Sequence, residues 1–258
     1  METREALVLT SLTDGVATVV LNRPERRNGV TVGLCIALHE ALLAIAESDA
    51  RVVVLRGAGD DFCVGADLAG GGEGVGDFDP ERLRAAYHAS TLLHTMPQVT
   101  IAAIDGGCAG AGMGWAMACD LRLASDRSRF NTAFLSVGVP GDMGLVWSLN
   151  QVIGGARARE LLFFPGRIMA DRALELGLVS RLVPAEVLQD EALNIARELA
   201  ARDPLALRLM KANTVSAETL PIADYIEVET ERHIEATSRG DMSARLAAAL
   251  AEVRSRNG

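Results

Sequence analysis

The chain has 258 residues, enough for one large domain or two small ones, and 49% of them are hydrophobic, which supports a sizeable core. A formal net charge of −9 argues against a nucleic-acid binder, although a local arginine cluster can still meet a phosphate. Cys35, Cys63, Cys108 and Cys119 lack CxxC and metal-ligand spacing, and no apolar run reaches the ~18 residues of a membrane span, so the expectation is a cytoplasmic protein with no metal and no membrane partner.

Met1 to Glu5 is polar and lacks a signal-peptide pattern. Leu7–Leu12 and Val16–Leu21 are β-rich runs joined by Thr13-Asp14-Gly15, a hairpin signal. A polar loop from Arg23 to Gly29 follows. Thr31 then caps a predicted helix to Ser48, with Leu34, Leu38, Leu42 and Ile45 at helical spacing. Val52–Arg56 is a short buried strand, and the Gly- and Asp-rich stretch 69–80 is a loop. A helix is predicted from Pro80 to Met96, a strand at Val99–Ile104, a helix from Gly112 to Cys119 and a strand at Leu121–Ala124. Gly138-Val139-Pro140-Gly141 is a turn before a helix over Met143–Val152, with Asp142 at its N-cap. Beyond Ala156 the pattern turns helical, with segments 156–163, 170–176, 186–202, 204–216 and 221–254 and a strand at Val179–Val183. The expected division is an α/β core over 1–200 and a helical region over 201–258.

Chemistry concentrates in two small-residue turns, Phe62-Cys63-Val64-Gly65-Ala66-Asp67-Leu68 and Asp105 to Gly114. Each follows a strand-like run, and small residues let a ligand touch the backbone itself. Two converging backbone N–H groups can hold a developing oxyanion. Gly110-Ala111-Gly112 is not a dinucleotide fingerprint, because no βαβ unit with an acidic residue ~20 positions later accompanies it.

Asn22-Arg23-Pro24-Glu25, the turn Phe62–Leu68, the stretch Ala103–Asp120, and later Met169–Ala173 with Gly177-Leu178-Val179 together resemble the crotonase superfamily, the enoyl-CoA hydratase/isomerase family. The resemblance spans nearly the whole chain. It implies a spiral of ββα turns with a helical C-terminal trimerisation region, in a trimer or dimer of trimers. It further implies an acyl-CoA thioester substrate, with coenzyme A as part of the substrate and no other cofactor. The enolate oxygen would be held by the N–H groups of Ala66 and Ala111. Val64, Asp67, Leu68 and Gly110 flank those donors and line the implied substrate path. Arg23, Arg26 and Arg27 are the candidates for the CoA phosphates, since arginine forks suit phosphate oxygens. Arg232, Arg239 and Arg245 could reach the CoA of a neighbouring subunit.

The family's hydratases carry two water-activating glutamates, and the matching positions here are Gly114 and Phe134. A backbone hole polarises a thioester but does not shuttle a proton. Asp142, thirty-one residues after Ala111, matches a third family position at which an aspartate serves as base or nucleophile. Phe134, Met143 and Trp147 could give it an apolar pocket, where a carboxyl pKa rises. His88 and His94 are weaker candidates, and Asp120 reads as structural. The favoured reading is isomerase-type proton transfer through Asp142. The alternatives are a non-catalytic acyl-CoA binder and a hydratase using a non-standard carboxylate.

Overall fold

The computed structural model describes residues 6–68 and 80–240. The loop expected over 69–80 falls almost wholly outside them, as do Arg245 and the end of the helix expected over 221–254. The chain divides into two compact units, Met1–Arg202 and Asp203–Gly258.

In the first unit, β1 (Val8–Thr13) and β2 (Val16–Leu21) form the expected hairpin, with Asp14 and Gly15 at φ +53° and +76°. Helix α1 (Val32–Ala46) starts at Thr31, whose side chain accepts from Leu34 N at 3.2 Å. It buries Leu34, Leu38, Leu42 and Ile45, the stripe its spacing predicts. Strands β3 (Val52–Gly57), β4 (Val99–Ile104), β6 (Leu121–Ser125) and β9 (Arg181–Val183) extend the hairpin into a six-stranded sheet of order β1-β2-β3-β4-β6-β9. Every pairing after the hairpin is parallel. Both faces of β3 are covered, so its sequence is continuously apolar rather than alternating. Val53 and Leu55 join the main core, while α8 (Leu188–Ala200) packs on β2, β3, β4 and β6 through a face that includes Leu188, Ala192, Ala196 and Ala200.

A second sheet joins β5 (Gly107–Ala109), β7 (Arg129–Asn131) and β8 (Ile168–Met169). These strands span two or three residues each, too short to leave a periodic signal, and sequence reasoning missed all three. Between the sheets the chain repeats a long strand, a short strand and a helix. One such unit is β4, β5 and α4 (Gly110–Ala118). All nine residues of α4 are buried, which makes it the axis of this unit.

The helix predicted over Pro80–Met96 is two helices, α2 (Pro80–Ala86) and α3 (Ala89–Thr95), broken at Tyr87 and His88. Helical spacing runs through the break. Packing decides it, because α2 meets α1 whereas α3 meets both α1 and α4. The remaining helices of this unit are α5 (Leu145–Ile153), α6 (Gly155–Phe163) and α7 (Ala170–Leu176). Asp120 is structural as expected: its Oδ2 accepts from Thr100 N at 2.8 Å and Thr100 Oγ1 at 3.1 Å, tying the start of β6 to β4.

The second unit contains α9 (Pro204–Ala217) and α10 (Ile222–Thr237), packed on each other. Asp203 caps α9 by accepting from Ala206 N at 2.9 Å and also receives Arg239 at 3.0 Å. Arg232 donates to Asn213 and Ser216. Arg232 and Arg239 are thus engaged within their own unit.

Candidate active site

The first turn is held by the loop before α1. Asn28, fully buried and left-handed at φ +55°, donates through Nδ2 to Ala58 O at 2.9 Å and Asp61 O at 2.7 Å. Its Oδ1 accepts from Arg23 N at 2.9 Å. One side chain therefore satisfies three backbone groups, at least partly buried, and fixes the approach of the turn. The sequence reading passed over Asn28; its place in a polar loop carried no signal that it is buried.

Val30 and Ala66 form a parallel bridge in which Val30 N donates to Gly65 O at 2.8 Å and Asp67 N to Val30 O at 3.0 Å. Because backbone groups alternate along an extended chain, this pairing leaves the Ala66 N–H on the opposite side. The second donor, Ala111 N–H, lies in the first turn of α4, where no intrahelical acceptor exists. Neither N–H has a hydrogen-bond partner among the described residues.

The two turns touch through bare glycines. A Cβ built on Gly65 would stand 3.0 Å from Ala109 O, and one on Gly110 would stand 3.7 Å from Gly65 Cα. Both glycines have positive φ, +86° and +50°, so a side chain at either would be strained, and one at Gly65 would be crowded as well. Ala66 and Ala111 each follow one of these touching glycines, and the Ala111 N–H lies at the positive end of the α4 dipole.

The loop that carries Asp142 packs on the same helix, through Met143 against Gly114. That loop has Gly141 at φ +123°, Met143 at +47° and Gly144 at +68°. The expectation that Asp142 caps the next helix is corrected: α5 begins at Leu145 with Gly144 as its cap, and only the backbone oxygen of Asp142 contributes, accepting from Leu145 N at 3.1 Å. The consecutive left-handed residues delay helix entry and leave the carboxylate unspent. Its Oδ1 is buried and has no hydrogen-bond partner among the described residues. Burial pushes the Asp142 carboxyl above the ordinary carboxylate range. Asp142 in turn adds to the upward push on Cys35, which burial and that charge raise to about 12, and on the half-exposed Tyr87.

Gly114 and Phe134 meet this loop. A Cβ on Gly114 would lie 2.8 Å from Met143 Cβ and 2.9 Å from Met143 O. Gly114 is one helical turn beyond Ala111, so the residue after Asp142 packs on the α4 face that carries the second donor. The Phe134 ring lies 3.8 Å from the Cβ positions of both Gly110 and Gly141 and wedges the second turn against the Asp142 loop. His94 meets Trp147 edge-on, with centroids 4.9 Å apart, joining α3 to α5. His88 is exposed and pairs with Thr91 Oγ1 at 3.1 Å.

The arginines expected to meet phosphate are engaged with carboxylates. Arg23 and Arg26 both hold Asp67, at 2.9 and 3.0 Å, and Arg23 also donates to Gly29 O. Arg27 grips Asp61 through Nε at 2.7 Å and Nη2 at 3.1 Å. The Asp67 side chain is therefore an anchor for the turn that carries Ala66, whereas Leu68 projects outward at 70% exposure. Val64 packs over Gly107, where a Cβ would come within 2.8 Å of Val64 Cγ1. Among the described residues, no three His, Cys, Asp or Glu side chains are grouped to hold a metal ion, and no helix is long and apolar enough to cross a membrane.

Comparison with known proteins agrees with this architecture. The family model described as enoyl-CoA hydratase/isomerase matches residues 11–254. The probable enoyl-CoA hydratase EchA14 of Mycobacterium tuberculosis is 34% identical over 253 residues, covering 94% of this chain and 96% of its own. The mitochondrial Delta(3,5)-Delta(2,4)-dienoyl-CoA isomerase of Pongo abelii is 33% identical over 237 residues, covering 86% of this chain and 72% of its own. Among solved structures, an enoyl-CoA hydratase from Polaromonas sp. JS666 superposes with a TM-score of 0.85 at 30% identity, covering 95% of this chain and 97% of that one. With its mixed α/β spiral, its C-terminal helices and a family match over almost its whole length, the chain belongs to the enoyl-CoA hydratase/isomerase family of the crotonase superfamily.

Proposed function

We propose that this protein is an acyl-CoA isomerase that shifts a double bond through a thioester enolate. The thioester oxygen sits between the N–H groups of Ala66 and Ala111. The Asp142 carboxylate takes a proton from C2 of a 3-enoyl-CoA, the electron pair flows into the thioester oxygen, and the two N–H groups stabilise the resulting dienolate. The Asp142 carboxyl then returns the same proton to C4, which leaves a 2-enoyl-CoA. No water enters the product.

The observation that carries this reading is the buried, unpartnered Oδ1 of Asp142 on the wall that bears Ala111. Gly114 and Phe134 add no second carboxylate with which to position water. Burial makes Asp142 a stronger base than an exposed aspartate, closer to the pKa a base needs near neutrality. Relatives named as hydratase and as isomerase match the chain at similar identity, so the site and not the likeness favours the isomerase. Arg26, the more exposed of the two arginines on Asp67, is the cation we assign to a CoA phosphate. The expected assembly is a trimer or a dimer of trimers in the cytoplasm, and exposed Phe163 and Phe164 are apolar surface for it to cover.

Incubation with 3-enoyl- and 2-enoyl-CoA esters tests the reading. Interconversion of the two without formation of 3-hydroxyacyl-CoA supports it. Hydration at an ordinary rate overturns it in favour of a hydratase with a non-standard carboxylate. Tight binding of every ester with no turnover overturns it in favour of a non-catalytic acyl-CoA binder.

A further inference from the structure

The outer face of the second sheet holds a cluster of cations that the proposed proton transfer does not use. Side chains alternate along its strands. Cys108, Phe130 and Ile168 point into the core, and so does Cys63, which bridges Cys108. The alternate residues, Val64, Gly107, Ala109, Arg129, Asn131 and Arg167, line a cavity of about 340 Å³ together with Arg27, Cys108 and Phe130.

Three arginines line this cavity, and two of them, Arg27 and Arg129, approach one carboxylate, Asp61. Asp61 takes both Arg27 hydrogen bonds and the Gly107 N–H, at 2.6 Å, and Arg129 Nη2 stands 3.9 Å from its Oδ1. Burial alone would raise the Asp61 carboxyl, but the hydrogen bonds from Arg27 and Gly107 outweigh it and hold the group below its usual range, so it stays ionised. Arg167 is exposed and has no ion pair among the described residues. The cavity floor is kept open by small residues: a Cβ on Gly107 would stand 3.4 Å from Arg27 Nη2 and 2.8 Å from Asp61 Oδ1.

We infer that this cavity is a second ligand site, which takes the phosphate group of a small molecule other than the acyl-CoA ester held at Ala66 and Ala111. Arg129 and Arg167 supply paired forks for phosphate oxygens, and Asp61 fixes Arg27 and the floor so that the cavity is formed before the ligand arrives. The phosphates of the reacting CoA ester do not suit this place. Val64 and Ala109 precede the two donors by two residues each, a reach of at most ~7 Å along the chain. A thioester at the donors carries its phosphates at the far end of the pantetheine arm.

Inorganic phosphate is the probe, titrated against the full-length protein by phosphorus NMR line broadening at constant ionic strength, with chloride as the control. The expected result is saturable binding that weakens about tenfold in Arg167→Gln and again in Arg129→Gln, the equivalent of one charge-assisted hydrogen bond each. Acyl-CoA turnover in Arg167→Gln stays at the parent value when phosphate is absent, and circular dichroism and melting confirm that the variants fold. Addition of an acyl-CoA and, separately, an acyl-pantetheine distinguishes the sources of phosphate. Binding untouched by either supports a separate ligand. Displacement by acyl-CoA but not by acyl-pantetheine overturns it, because the phosphates would then be those of CoA. Absence of saturable binding, or equal binding in parent and variants, also overturns it. Failure of the isomerase assay leaves this outcome unaffected, since the probe does not depend on turnover.

Discussion

Met143 rests on the bare Cα of Gly114, so close that a Cβ there would lie 2.8 Å from Met143 Cβ and 2.9 Å from its carbonyl oxygen. The space that a side chain at Gly114 would take is thus filled by Met143, the residue after Asp142. A side chain at Gly114 and the backbone of Met143 would compete for one volume on the face of α4. The loop adopts the close approach because Met143 and Gly144 are left-handed and hold it against the helix instead of continuing into α5.

Restoring a glutamate should therefore fail to restore a hydratase. Gly114→Glu is expected to displace the Gly141–Gly144 loop, to cost about 1–3 kcal/mol of stability as an overpacked core does, and to lower isomerase turnover by moving Asp142. Denaturant melts and parallel assays with 2-enoyl- and 3-enoyl-CoA check this. A stable variant that hydrates 2-enoyl-CoA would refute the competition.

Asp142→Asn removes the proposed base with little change of shape. Turnover should fall by about 10²–10⁴-fold while affinity for a CoA ester is kept. Turnover within a few-fold of the parent would remove Asp142 from the reaction.

The same variant has a pH signature. The native Asp142 carboxyl is raised above its ordinary value of 3.8 by burial. Between the unfolded value and the raised native one, the native state binds more protons than the unfolded chain, so this group's stabilising contribution falls as pH rises through that window. The asparagine variant lacks that loss. Its melting temperature should exceed the parent's at neutral pH, with the gap closing in acid. A gap independent of pH would show that the carboxyl is not strained by burial.

Ala111→Pro deletes one N–H from the hole while leaving the helix intact, because the first turn of a helix tolerates proline. A loss on the order of 10²–10³ in kcat is expected, the cost of one oxyanion donor. Circular dichroism and a melting curve near the parent's would assign the loss to the missing donor, and unimpaired kcat would exclude Ala111 N–H from that role.

Asn28→Ala removes the side-chain partner of two carbonyls and one N–H, one of the carbonyls buried and the other two groups half-buried, in a left-handed residue that disfavours alanine. Stability should drop by roughly 2–4 kcal/mol. Because Asn28 braces the turn that ends in Ala66, turnover should fall with it even at temperatures where the variant is folded. A variant as stable as the parent would refute this role.

Local signals made much of the scaffold legible. The hairpin follows from Asp14-Gly15, α1 from its Thr31 cap and its stripe, and β3 and β4 from unbroken apolar runs, because turn chemistry, capping and periodicity act over a few residues. The two turns were legible for the same reason, since the glycines at Gly65 and Gly110 that let them approach each other stand plainly in the sequence. Lack of carboxylates at Gly114 and Phe134 was equally plain from the residues themselves.

The rest depended on contacts between distant segments. The three strands of the second sheet are too short to carry a pattern, and they exist because neighbours pair with them. Asn28 gains its importance from Ala58 and Asp61, and Arg23, Arg26 and Arg27 change from free cations into partners of Asp67 and Asp61. The sequence by itself determined where the two small-residue turns lie and that Asp142 follows the turn Gly138–Gly141. Only the tertiary structure decided that Asp142 is a half-buried acid whose Oδ1 has no partner among the described residues, and not a helix cap, because burial and the closeness of Met143 to Gly114 arise when residues far apart in the chain come to occupy one volume.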